Sequence, residues 1–353
     1  MFSKLILFLV MLLWCSGAWA TYPNYTVCPS GCDFSTLEGA VADLIANHPT
    51  PAGPVTIVIS GSWASADTSV VNISGITTTS SNTLTISTTG SAVNNGKLPT
   101  GSGGYWLAPT SSSNPITLSN NYVTISGIAI DMSTGSGGAA ILIGNYYTNI
   151  KLNGLVLKGS SVSQGIDWEN PRTASNYVYN CVGYGFTNGS PFKIVNGDGS
   201  TVSYVYNNTS YNNYYGFNMD NGASGSDVYF SNNVASSNSH NSIQRPDRLF
   251  AGSHNVCDDG SSCTTSPLTS GTNNATSYTS YYTSPSGGDF SLKSGSILIG
   301  GGTSESGTFT TDITGAARQA SGAWDVGAFK FGSNNHTDII QGNSIIRGNS
   351  IIN

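Results

Sequence analysis

The chain has 353 residues, a formal net charge of −6 and only 8% charged side chains. This balance offers no basic footprint, which sets nucleic-acid binding aside, and so few charges do not suit an ordinary helical domain. The 38% hydrophobic content, with 43 glycines and 18 tyrosines, falls in short Val/Ile/Leu/Tyr runs bounded by Gly, Asn and Ser, the texture of many short strands rather than of a disordered tail.

Residues 1–20 read as a signal peptide. Lys4 precedes an apolar run from Leu5 to Trp14, and Ala18-Trp19-Ala20 places small residues at both recognition positions of a signal-peptidase site. The mature chain is therefore expected to start at Thr21 and to be secreted or held at the cell surface. The run is too short for a membrane span, and no later stretch reaches the roughly 20 apolar residues that a span needs. Residues 21–50 are expected to form an N-terminal cap, because Phe34 to Asn47 is the one good helical stretch, with Leu37, Val41 and Leu44 on one face.

Residues 51–265 carry an internal repeat. Ile59-Ser60-Gly61, Ile86-Ser87-Thr88, Ile125-Ser126-Gly127, Leu152-Asn153-Gly154, Tyr179-Asn180-Cys181, Tyr206-Asn207-Asn208 and Phe230-Ser231-Asn232 align as one strand-then-turn unit, at separations of 27, 39, 27, 27, 27 and 24. The long interval holds a Gly/Ser-rich stretch from Gly101 to Ser113, which reads as a loop inserted into one coil. A second column is formed by Asn145, Asn170, Asn196, Asn221 and Asp247, each preceded four residues earlier by Ile141, Ile166, Phe192, Phe217 or Ile243. Alternation puts those apolar residues inside and the polar column in a turn. A coil of about 25 residues cannot bury its own apolar face, whereas stacked coils share one continuous core. Asn suits such turns because it tolerates left-handed backbone and its amide can ladder from coil to coil. A sandwich would show no fixed period, and a propeller blade would need about 40 to 50 residues. The expected fold is all-β, a single-stranded parallel β-helix of about eight coils with a short N-terminal helical cap.

An exported chain permits disulfides. Cys28 with Cys32 and Cys257 with Cys263 would each close a small loop, leaving Cys181 unpaired. Residues 266–332 are expected to cap the C-terminal end. They contain Asp312-Ile313-Thr314-Gly315-Ala316-Ala317-Arg318 and Trp324-Asp325-Val326-Gly327-Ala328-Phe329. This pair of elements, Asp-x-x-Gly-x-x-Arg followed by Asp-x-Gly-Ala-aromatic, resembles the closing motif of secreted right-handed parallel β-helix proteins of the pectate-lyase-like superfamily. The resemblance implies that Asp312, Arg318 and Asp325, with Gly315 and Gly327, form a closing structure in which Arg318 pairs with an aspartate. The family often has Glu after the aromatic, where Lys330 stands here. Residues 333–353 repeat a six-residue unit, Ile-Ile-x-Gly-Asn-Ser, expected to be a weakly ordered or self-associating tail.

The superfamily includes lyases, hydrolases and proteins without catalysis, so function rests on outward side chains. The second column's register puts Asp167, Lys193, Asn218 and Gln244 on one outward line, with Glu169 and Asp220 on the next. Asp167, Glu169, Lys193 and Asp220 are the candidate catalytic set. Asp167 and Glu169, about 7 Å apart on one face of a strand, have the carboxylate spacing of inverting glycoside hydrolysis. Arg172, Arg245 and Arg248, with Asn218 and Gln244, are candidate substrate-binding residues for extracellular polysaccharide, and calcium at Asp167, Glu169 or Asp220 would assist a lyase. Weighed against this, Asp167 with Lys193 and Asp220 with Arg245 are expected as ordinary cross-coil ion pairs. The tyrosines at 204, 206, 211, 214 and 215 are assigned mainly to the core. Two classes remain: a glycan-binding solenoid without catalysis, and a polysaccharide lyase or hydrolase.

Overall fold

A computed structural model describes residues 23–332 except 111–113, 135–136, 162–163, 170–174, 196–201, 220–226, 245–250, 260–261, 265–267, 270 and 274–277, and adds 340–341 and 344–345. The chain winds into a parallel β-solenoid with three faces. The first sheet has eight strands, from Asn24–Val27 through Lys151–Asn153, Ser175–Tyr179 and Val202–Tyr206 to Asp227–Ser231; the second also has eight, from Trp106–Leu107 to Thr272–Asn273; the third has seven, from Val71–Ser74 to Ile243–Gln244. All neighbours within these three sheets are parallel. The solenoid completes about six turns rather than the eight expected.

The core follows from alternation. In Val55–Ile59 every second residue is buried, and in Leu84–Thr88 Leu84 and Ile86 are. The inward column Ile141, Ile166, Phe192, Phe217 and Ile243 runs through the third sheet as the sequence predicts, each residue at most 1% exposed, and Phe192 stacks on Phe217 at 5.0 Å.

Register is legible in part. Ile86 pairs with Ile125, Ile125 with Leu152, and Tyr179 with Tyr206, as predicted. Ile59 instead pairs with Thr88, Leu152 with Val178, and Tyr206 with Ser231. A one-residue slip exchanges inside for outside, so Tyr179 and Tyr206 face outward where Val178 and Val205 fill the core.

An asparagine ladder runs along the corner marked by the first aligned turn column. Asn145 is an exposed turn residue, and Asn170, Asn196 and Asn221 lie outside the described residues. The ladder occupies the short turn between the first and second sheets, where the side-chain oxygens of Asn208, Asn233 and Asn255 accept the main-chain N–H of Cys181, Asn208 and Asn233, each at 3.0 Å. Their amides donate to the carbonyls of Val178, Val205 and Phe230 at 2.8–2.9 Å. Cys181 fills the same column with a thiol, its Sγ 3.8 Å from the Leu152 carbonyl. The residue before each of these, Asn180, Asn207, Asn232 or His254, has φ between 52° and 57°, the left-handed region that Asn tolerates.

The helix spans Leu37–Asn47, starting three residues later than predicted because Thr36 is the N-cap, its hydroxyl accepting the Gly39 N–H at 3.1 Å. Leu37, Ala40, Val41 and Leu44 are buried against the first strands of the first and third sheets. The Gly101–Ser113 insertion contributes structure: Trp106–Leu107 pairs with Ala129–Ile130 at the edge of the second sheet. The two disulfides form as predicted, each with a Cα–Cα distance of 5.6 Å, and Cys181 is free and buried.

Residues 281–329 run along a flank of the solenoid. Tyr281, Tyr282, Phe290, Leu298, Ile313, Val326 and Phe329 cover the outward apolar residues of the second sheet, from Ala129 through Val156 and Val182 to Val256. Arg318 is 5% exposed. It donates to the carbonyls of Asp325, Gly327 and Ala328 and to Asn180 Oδ1, at 3.0–3.2 Å, so its hydrogen bonds go to carbonyls rather than to a carboxylate. Burial lowers its pKa to about 10, against the pull of Asp312 and Asp325. Those two carboxylates hold turns instead, Asp312 accepting from the N–H of Thr314, Ala316 and Lys330, and Asp325 from those of Gly300 and Phe331. In the tail, Ile340–Gln341 pairs antiparallel with Ser344–Ile345.

Candidate functional site

The third sheet presents the charged line. Ile166 and Trp168 point into the core, which turns Asp167 and Glu169 outward from the same strand. Asp167 pairs with Lys193, Lys193 with Asn218, and Asn218 with Gln244, one residue per coil. Lys193 Nζ lies 2.9 Å from Asp167 Oδ1 and 3.1 Å from Oδ2, and 3.5 Å from Glu169 Oε1. The two carboxylates thus converge on one ammonium. Burial raises the Asp167 pKa, partly offset by the hydrogen bond and charge of Lys193. Desolvation pulls the Lys193 pKa down, but the hydrogen bond and charge of Asp167, with Glu169, prevail and raise it. Asn218 Oδ1 and Gln244 Oε1 lack hydrogen-bond partners among the described residues. Toward the N-terminus the same line continues as Leu142, Thr117 and Asn72.

No family model, curated protein or solved structure matches the chain. The structure brings together Asp167, Glu169, Lys193, Asn218 and Gln244. Asp220, Arg172, Arg245 and Arg248 lie outside the described residues. No group of three His, Cys, Asp or Glu side chains able to hold a metal ion occurs among the described residues. The Lys193 ammonium lies against both Asp167 and Glu169.

The first sheet carries an outward aromatic column, of which the sequence reading assigned only Tyr204, and that to the core. Tyr177, Tyr204 and Tyr229 pair in register across three coils, with ring centroids 4.8 and 5.2 Å apart and planes within 18°. Lys151, next in the column, holds its Nζ 5.4 Å from the Tyr177 centroid. The parallel column of Tyr179 and Tyr206 is covered by Phe309 and Trp324, Tyr179 stacking on Phe309 at 4.7 Å. The signal was present in the spacing, since Tyr177, Tyr204 and Tyr229 alternate with the smaller Val178, Val205 and Phe230-flanked core positions. Tyr211 does face apolar neighbours, but those of the flanking segment, Tyr282 and Phe290. Tyr214 and Tyr215 pack around exposed His240, 4.9 and 5.3 Å from its ring. His48 closes the helix and His254 sits in the left-handed turn, while His336 lies outside the described residues.

Proposed function

We propose that this is a secreted or surface β-helix protein that binds extracellular polysaccharide along the outward line of its third sheet without cleaving it. One observation carries the non-catalytic part: Lys193 sits within ion-pair distance of both Asp167 and Glu169, the arrangement of a cross-coil ion pair on a solvated sheet. Binding is supported by the in-register line of Asp167, Lys193, Asn218 and Gln244, which places one polar side chain per coil on the outer face of the third sheet, a spacing suited to an extended chain. Export is supported by the leader-like residues 1–20 and by two disulfides. The parallel solenoid and the motif at Asp312 to Phe329 support kinship with the pectate-lyase-like superfamily.

The second reading, a polysaccharide lyase or glycoside hydrolase, draws on the raised pKa of Asp167, the property of a general acid. Calcium would join only that reading. A panel of acidic and neutral polysaccharides, assayed for new reducing or unsaturated ends, separates the two. The expected result is glycan retention without release of fragments, with retention and the circular dichroism spectrum preserved in the Asp167→Ala, Glu169→Ala double variant. Fragment release by the native chain that this variant abolishes would establish the enzyme instead.

A further inference from the structure

We propose a second glycan site, on the first sheet, that takes an anionic polysaccharide with its carboxylate or sulfate against Lys151 and a sugar ring against Tyr177. It stands independently of the third-sheet line. One outward column runs Thr56, Thr85, Thr124, Lys151, Tyr177, Tyr204, Tyr229, each residue paired in register with the next. At a strand spacing of roughly 4.8 Å, six steps make a straight stripe about 29 Å long. A groove of about 460 Å³ lies on it, lined by Ser80, Tyr122, Thr124, Asn149, Lys151 and Tyr177 among others, with Lys151 the cation and no carboxylate among the described lining residues. The chain's charge is −6, so a lone exposed ammonium among hydroxyls and phenols is a local positive point in a negative molecule, and it selects an anion.

The rest of the lining selects a sugar. Hydroxyl and amide groups repeat beside aromatic rings, matching the polar edges and apolar faces of a pyranose. The stripe is open along the solenoid axis and offers one new side chain per coil, which suits a polymer rather than a single small molecule. A second, independent mark is backbone strain at the rim: Tyr122 and Asn149 hold φ of 52° and 57°. For a bulky tyrosine this is a costly conformation of the kind that gathers at binding sites.

The test uses the full chain against three probes: polygalacturonate, dextran sulfate and neutral dextran. Retardation in affinity gels is expected with either or both anionic polymers and not with dextran, and it should weaken as salt rises. Lys151→Gln should lower affinity about tenfold, and Tyr177→Leu should lower it at unchanged salt dependence, while Asn218→Ala with Gln244→Ala, on the third sheet, leaves this binding intact. If both anionic probes are ignored, if dextran binds equally well, or if Lys151→Gln binds as the native chain does, the site is wrong. If the third-sheet pair alone abolishes anion binding, the glycan belongs to that sheet and the first-sheet site falls.

Discussion

Replacing Asn233 with Ala tests what holds the turns in register. The Asn233 Oδ1 accepts the Asn208 main-chain N–H and side-chain amide, both at 3.0 Å, and its own amide donates to the Val205 carbonyl at 2.8 Å. All three groups are buried, with Asn208 at 0% and Asn233 at 1% exposure. Alanine keeps the backbone but leaves the Asn208 N–H and the Val205 carbonyl without this partner. An orphaned buried group costs about 1–3 kcal/mol, so two cost about 4 kcal/mol, a large part of the 5–15 kcal/mol typical of a whole domain. The Asn208 amide retains Val178 and adds little to the loss. Denaturant unfolding followed by circular dichroism should show a lower midpoint. The slope should fall too, since the damage sits in one coil of a quasi-one-dimensional array. A loss below about 1 kcal/mol would mean that the sheets alone fix the turn and that the ladder is incidental.

Two further substitutions probe the same architecture. Cys181→Asn extends the ladder by one coil, because the thiol already lies where an amide would reach the Leu152 carbonyl, and a gain of about 1 kcal/mol in unfolding free energy is expected; a loss would show that the Cys181 site is too tight for the larger side chain. Glu305→Gln addresses pH. Burial lifts the Glu305 carboxyl from 4.5 to about 7, so the native carboxyl is neutral in folded and unfolded chains below about pH 4.5, and its charge penalty grows between there and pH 7. After allowance for solvent screening, the variant should be more stable than the native chain by roughly 2 kcal/mol at pH 8 and equal to it at pH 4. A melting-temperature difference that does not change with pH would refute this.

The third-sheet line was legible because its charges are rare and its inward column is purely apolar, so the period set by Ile141, Ile166 and Phe192 fixed which residues turned out. The first sheet was harder. There Tyr179 and Tyr206 occupy the position that Ile86, Ile125 and Leu152 suggested for the core, because coils lengthened or shortened by one residue in their loops. Aromatic side chains do not declare which face they serve; tyrosine suits both. The true ladder hid among the dipeptides Asn207-Asn208 and Asn232-Asn233, where the second residue points inward and the first takes the left-handed angle. The flank position of the C-terminal segment was not readable at all, since Ala129, Val156, Val182 and Val234 look like core residues until the strands' two faces are assigned.

Those dipeptides divide two tasks that the solenoid must perform together. The inward member, at 208, 233 and 255, ties each turn to the next coil. The outward member offers its side chain to the C-terminal segment: Asn180 to Thr311 and Arg318, Asn207 to Asp325 and Gly327, and Asn232 to Thr303. A left-handed residue at that corner is thus both a turn device and a docking seam, and the seam fixes which flank the segment can cover. Covering the second sheet hides its apolar outward residues, which would otherwise form an exposed hydrophobic stripe. It leaves the Tyr177 column of the first sheet and the Lys193 line of the third uncovered by that segment. Which faces of the solenoid the segment covers therefore follows from the placement of paired asparagines at one corner of the coil.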